Sequence, residues 1–326
     1  MIDVMRLVRQ QSDIPSADWR SDASAYSYSA LADIPPAHFI APSSSSGLLF
    51  SAPHAGRHYA SEMFSKSKLA NARTLEEQGT DVIVRELARQ GYHALIASAS
   101  RAVVDLNRPI FAQDSKLHPI TADGPDALIK LYQPYIRAGY GVIPRLDAKR
   151  RPLHACMLNP LLVEQILTLH HIPYHRRLEQ MIDHASAHHS QILLCDIHSM
   201  PDDHAHRQQA DIIFGNLHGA TCTRIISRSI DQFMKTSGFS WGWNTPYAGG
   251  FITRHYGLNK DRAHIQVQTL QIELNRTLFE TPQRRVDSAR LGQISALLSG
   301  LSAILADRLS QASCWHKGFC LCAKSF

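Results

Sequence analysis

Ile192–Met200, which reads ILLCDIHSM, constrains this chain more than any other stretch. Its unbroken apolar start, Ile192-Leu193-Leu194-Cys195, suits a strand buried on both faces, as in the middle of a parallel sheet. The run then meets Asp196 and His198. Ligands of open α/β sheets collect at the carboxyl ends of strands, so an acid and an imidazole at that point form a candidate site. The alternative is a core strand whose histidine caps a neighbouring loop.

The remaining composition narrows the class. A chain of 326 residues with 44% hydrophobic and 19% charged content is that of a globular protein, long enough for one large α/β domain. The net charge of +6 suits an anionic small substrate. The basic residues are scattered and no nucleic-acid-reading motif appears, which argues against a nucleic-acid partner. Cysteines at 156, 195, 222, 314, 320 and 322 form no repeated framework, which points to a reducing compartment. The start MIDVMRLVRQQSD lacks an apolar core of signal-peptide length, and no segment approaches the roughly 18 uninterrupted apolar residues of a spanning helix. The expectation is a cytoplasmic protein.

Along the chain, residues 1–46 read as a loosely ordered arm, 47–312 as a single catalytic α/β domain and 313–326 as a tail. Gly47–Ala52 is a strand stopped by Pro53, and His54 stands beside Gly56, where backbone can approach closely; His54 is either a ligand or a turn histidine. Residues 80–90 are helical, with Thr80 as N-cap and Gly91 closing the helix; Asp81 in the first turn complements the dipole. Leu95–Ala99 and Ala102–Leu106 read as strands, flanked by Arg101, Asp105, Asn107 and Arg108, which pair with one another or bind an anion. A helix spans Asn159–His171 with Pro160 in its first turn; Pro173 breaks it, and a second helix runs to about His188. Pro201–Gln209, with His204 and His206, is a polar loop. Asp211–Gly215 is a strand and 221–236 an amphipathic helix. Asn244–Gly257, with Tyr247, Gly249, Gly250 and Arg254, is too rich in glycine and aromatics for a simple helix and reads as a loop that closes over ligands. Ile265–Leu274 is a strand that sets Glu273 among apolar neighbours, and 289–311 an amphipathic helical pair. The tail's Cys314, Cys320 and Cys322 lack zinc-like spacing.

Taken together, Pro53-His54-Ala55-Gly56, Thr80-Asp81, Ser100-Arg101 through Asp105-Leu106-Asn107-Arg108-Pro109, Asp196-Ile197-His198-Ser199-Met200 and Asn244 through Gly257 resemble the N-formylglutamate amidohydrolase family. The resemblance covers about residues 47–280, and Pro173-Tyr174-His175 and Gln271-Ile272-Glu273 fit it as well. It implies a mixed, mostly parallel sheet flanked by helices, similar to zinc carboxypeptidases and aspartoacylase-like deacylases (a phosphorylase/hydrolase-like fold), with one catalytic zinc ion. The sequence departs from the carboxypeptidase pattern His-x-x-Glu, since Arg57 follows His54 at that spacing. The second ligand is then Asp81 by position, with Glu77 in reserve. Ala55 and Val82 replace the family's usual Ser and Trp.

The resemblance implies His54, Asp81 and His198 as zinc ligands, with a position left for water. Glu273 would be the general base. Asp196 would orient a ligand or form a structural salt bridge. Arg101 or Arg108 would stabilise the oxyanion, and Arg254 would read a substrate carboxylate, with Asn107, Tyr247 and Gly250 beside it. The expected substrate is a small N-acyl amino acid such as N-formyl-L-glutamate, cleaved to formate and the amino acid. The alternatives are a zinc carboxypeptidase or other N-acyl-amino-acid deacylase, and a non-catalytic descendant that binds an anion.

Overall fold

Gln191–Met200 is a ten-residue strand buried along its whole length, as its apolar run dictates. The computed structural model describes residues 26–42, 46–119, 125–202, 210–258 and 265–322, with side chains described as far as 311. Those residues form two compact units. One comprises Met1–Phe39, Pro53–Glu77 and Ile96–Leu178, the other Ile40–Ala52, Gln78–Leu95 and Glu179–Phe326.

The strands are β1 (Ser27–Ser29), β2 (His38–Ile40), β3 (Leu48–Ala52), β4 (His58–Ala60), β5 (His93–Ile96), β6 (Gln191–Met200), β7 (Ile212–Gly215), β8 (Trp241–Trp243) and β9 (Gln266–Asn275). The helices are α1 (Thr80–Arg89), α2 (Asp126–Arg137), α3 (Pro160–Ile166), α4 (Ile172–Ser186), α5 (Arg224–Met234), α6 (Phe251–Gly257) and α7 (Ser288–Cys322). Seven strands make one sheet in the order β2-β5-β3-β6-β9-β7-β8. β6 runs parallel to β3 and to β9, β7 runs parallel to β8, and β7 runs antiparallel to β9. The sheet is therefore mixed and mostly parallel, the α/β class that the sequence implies.

In the second unit, α1 and α7 pack on β3 and β6. α1 buries Ile83, Val84 and Leu87, and α7 buries Leu291, Ile294, Leu298, Leu301, Leu305 and Leu309 at helical spacing. Each such side chain stabilises the fold by about 1.5–3 kcal/mol, and Leu298→Ala should cost about 2–5 kcal/mol. α6 packs against β9. Gly257 at its end is required there, because a Cβ would stand 2.2 Å from Thr269 Oγ1. In the first unit, β1 and β4 form a parallel pair inside and beyond the stretch read as an arm.

Several expectations differ from the fold. Residues 102–106 are not a strand: Ser100 Oγ accepts from Ala102 N, and Val103 N and Val104 N both donate to Ser100 O, which folds an apolar run into a buried turn. Gly79, at φ +86°, caps α1 instead of Thr80, because only glycine enters that left-handed conformation without strain. Pro173 does not separate two helices. A π-helical turn over Leu167–His171 joins α3 to α4 and absorbs the proline's missing donor. The second half of Asn244–Gly257 is the helix α6, and 289–311 lies within one continuous helix, since Gly292 and Gly300 weaken a helix without breaking it.

Candidate active site

His54 follows directly on the end of β3 and is 2% exposed. Two residues on, Gly56 lies so close to Ala99 that a Cβ would overlap its carbonyl oxygen at 2.0 Å, so the glycine is what lets the chain pass. Both His54 ring nitrogens face carboxylates: Nδ1 stands 2.8 Å from Glu77 Oε1 and Nε2 2.7 Å from Asp105 Oδ1. Arg101 closes the ring, donating from Nη1 to Glu77 Oε1 and from Nε to Asp105 Oδ2, each at 3.1 Å. Asn107 N also donates to Asp105 Oδ1 at 2.9 Å. Burial pushes the Asp105 carboxyl upward, but Arg101, His54 and Arg108 outweigh it and hold the group well below the usual carboxylate range.

The turn after Asp105 is fixed from several sides. Arg108 donates to Tyr140 O at 3.1 Å and to Asn107 O at 2.9 Å, and lies over the Tyr135 ring, 4.4 Å from its centre. His171 Nε2 meets Arg108 O at 2.8 Å, and His175 Nε2 meets Leu106 O at 3.0 Å. The carboxylate on His54 is thus Glu77, the residue held in reserve. Asp81 is buried in the first turn of α1. In the sequence Asp105 belongs only to a charged cluster, and its partnership with His54 spans 51 positions with no local signal to announce it.

In the second unit, the sheet register brings the other residues together. On β6 and β9, Asp196 is opposite Gln271 and His198 opposite Glu273. Alternation puts all four on one face at the carboxyl end of two neighbouring strands. His198 Nε2 stands 2.8 Å from Asp196 Oδ2, so the carboxylate fixes the ring's orientation and tautomer. Gln271 Nε2 donates to Glu273 Oε1 at 2.7 Å, and Gln271 Oε1 accepts from Gly250 N at 2.7 Å. The Gly250 donor fixes which way the amide points, so its NH2 group must face Glu273. Gly250 thereby connects the glycine loop to the expected base through Gln271, a residue with no assigned role in the sequence reading.

The loop before α6 is anchored by Asn244, whose Oδ1 accepts from Asn216 N and His218 N. Tyr247 is 38% exposed. Arg254 is half-buried on α6, and no ion-pair partner for it occurs among the described residues. Cys195 and Cys222 are buried free thiols that burial pushes upward, and Cys156 is exposed. His204 and His206, residues 1–25 and the side chains of Cys314, Cys320 and Cys322 lie outside the described residues.

Known proteins resemble this chain over most of its length. Residues 46–280 match the N-formylglutamate amidohydrolase family. An N-formylglutamate deformylase of Pseudomonas putida is 30% identical over 271 residues, 79% of this chain and 92% of that protein. One of Pseudomonas aeruginosa is 26% identical over 233 residues, 70% of this chain and 77% of its own length. The crystal structure of N-formylglutamate amidohydrolase from Ralstonia eutropha JMP134 shares the fold, with a TM-score of 0.73 at 22% identity over 85% of this chain and 99% of that one. The buried histidine–carboxylate centre thus sits within a match that spans most of the chain, and the chain belongs to the N-formylglutamate amidohydrolase family.

Proposed function

We propose that this amidohydrolase uses one divalent metal ion, zinc, held by His54, Glu77 and His198, to cleave N-formyl-L-glutamate with water into formate and glutamate. Among the described residues these three are the set that could hold a metal ion, and Asp81 is not in it. The donor chemistry fits zinc: two imidazoles and one carboxylate make a three-ligand catalytic set. Each imidazole also has a carboxylate on Nε2, Asp105 for His54 and Asp196 for His198, and Nδ1 of His54 faces Glu77, the carboxylate that would share the ion. This pair of buried carboxylate–imidazole contacts carries the reading.

When bound, the ion would polarise the formyl carbonyl and acidify a water molecule. Glu273 takes a proton of the attacking water and returns it to the leaving amine nitrogen, so the C–N bond breaks to formic acid and the neutral amine, and the acid's proton then passes to the amine to give formate and the ammonium form. Gln271 keeps the Glu273 carboxylate oriented by donating to it. Arg101, committed to Glu77 and Asp105, holds one ligand carboxylate and the carboxylate partner of His54, and can share one donor with the oxyanion. Arg254 pairs with a substrate carboxylate. A cytoplasmic location belongs to the same reading, since the cysteines form no repeated framework.

The test is metal analysis of the purified protein with an assay of formate release. About one zinc per chain and turnover of N-formylglutamate are expected, both lost in His198→Ala. Stoichiometric metal in His198→Ala would overturn the ligand set. Faster turnover of N-acetyl than of N-formyl substrates would favour a sibling deacylase, and binding without turnover would favour a non-catalytic descendant.

A further inference from the structure

β9 presents Thr269, Gln271 and Glu273 at alternate positions, so the three side chains stand on one face of the strand. The start of α6 is hung from this face at two points. Thr269 Oγ1 donates to Thr253 O at 2.7 Å, and Gly250 N, just before the helix, donates to Gln271 Oε1 at 2.7 Å. The other end of the same amide donates from Nε2 to Glu273 Oε1, again at 2.7 Å. Gln271 and Glu273 are both buried. Arg254 N donates to Gly250 O at 3.1 Å, so the glycine that holds Gln271 also closes the turn that carries Arg254. All of these residues belong to the second unit.

We infer that Gln271 is a positioning residue for substrate discrimination: through it, a carboxylate bound at Arg254 sets the orientation of Glu273, and a substrate without that carboxylate turns over slowly even at saturation. The inference rests on the reading of Arg254 as carboxylate partner and Glu273 as base. A primary amide carries its oxygen and its NH2 group on one rigid plane. Gly250 N and Glu273 Oε1 therefore grip it as a pair, and rotating the amide to follow a shift of one partner misaligns its bond to the other. Hydrogen bonds weaken steeply with misalignment, and those to a carboxylate are roughly twice as strong as neutral ones, so the base feels the rotation. Substrate docked at Arg254 restrains α6, α6 restrains Gly250, and Gly250 restrains the amide that orients the base. Binding energy from a part of the substrate remote from the reacting bond is then expressed in kcat and not only in KM.

The experiment is steady-state kinetics of formate release from N-formylglutamate and from its α-amide. The wild type should favour the acid in kcat as well as in KM. Gln271→Met keeps the volume and removes both hydrogen bonds; its kcat on the acid should fall by about 10- to 100-fold, to the level of its kcat on the amide, while KM still favours the acid. Gln271→Asn is one methylene shorter and keeps an amide that cannot span both partners; it should show the same split between kcat and KM. The kcat losses of Arg254→Ala and Gln271→Met should fall well short of multiplying in the double variant, because each breaks the same chain of contacts. A wild type that discriminates in KM alone, a kcat preference for the acid that survives in both Gln271 variants, or losses that multiply in the double variant overturns the coupling and leaves Arg254 as carboxylate partner. The reading of Arg254 fails separately, and takes the coupling with it, if Arg254→Ala retains the full preference for the acid in kcat/KM.

Discussion

The two ends of β6 both carry histidines, and their partners are opposite in kind. At the carboxyl end, His198 is bonded to Asp196 at 2.8 Å and stands beside Glu273 in the register. At the amino end, His93 packs against His184, which packs against His188. A carboxylate partner fixes an imidazole's tautomer and tolerates positive charge on it; an imidazole partner resists charge. One residue type thus stands in two environments: an imidazole oriented by a carboxylate, and a buried, neutral ring packed against other imidazoles. His54 in the first unit follows the carboxyl-end rule, with carboxylates on both nitrogens.

The contrast can be tested most severely at the base. Glu273→Gln keeps the size and the strand but removes the proton acceptor, so kcat should fall by about 100- to 10,000-fold with metal content unchanged. A near-normal kcat would reduce Glu273 to a hydrogen-bond partner of Gln271 and leave the carboxyl end without its chemistry. Arg254→Ala should cost roughly 10- to 150-fold in kcat/KM on N-formylglutamate. The variant should also lose the wild type's preference for the free acid over the α-amide. Equal losses on both substrates would make Arg254 part of the scaffold.

Asp196→Asn probes the partner rule directly. The variant should bind zinc about 10- to 100-fold more weakly in chelator competition, because the ring loses a charged acceptor on Nε2. Unchanged affinity would mean that the carboxylate only fills space. At the amino end the effect is smaller and opposite in origin. His93 is held neutral in the fold, down to about pH 4, while the unfolded chain takes up that proton below about pH 6.5. Its contribution to stability is complete above pH 6.5, declines as pH falls toward 4, and is constant below that. This should amount to about 1–3 kcal/mol, a few degrees in Tm. His93→Phe should flatten that part of the pH profile. An unchanged slope would place the acid sensitivity elsewhere.

Elements with a strong period were legible directly. β6 and β9 were read nearly to their ends, because an apolar run bounded by polar residues fixes a buried strand. α5 followed from its amphipathic pattern and α3 from Asn159 and Pro160; Asn159 Oδ1 indeed caps Leu161 N. The turn at 102–106 is not legible in the sequence, because a short apolar run looks the same in a strand and in a buried turn; Ser100 decides it. The helix α6 is hidden in the sequence because its glycines precede it and set its start; they do not interrupt it.

The sequence alone determined that Asp196 and His198 share a face, since strand alternation is a local property, and it brought His54, Arg101, Arg108 and Glu273 into one family pattern. Only the tertiary structure decided which carboxylate meets which imidazole. Glu77 reaches His54 across 23 positions and Asp105 across 51. Glu273 falls opposite His198 because β6 and β9 pair in one register out of several. The reason is physical: periodicity encodes which side of an element is buried, but partners across loops depend on where closed chains meet, and a shift of one residue in register would turn Glu273 to the opposite face.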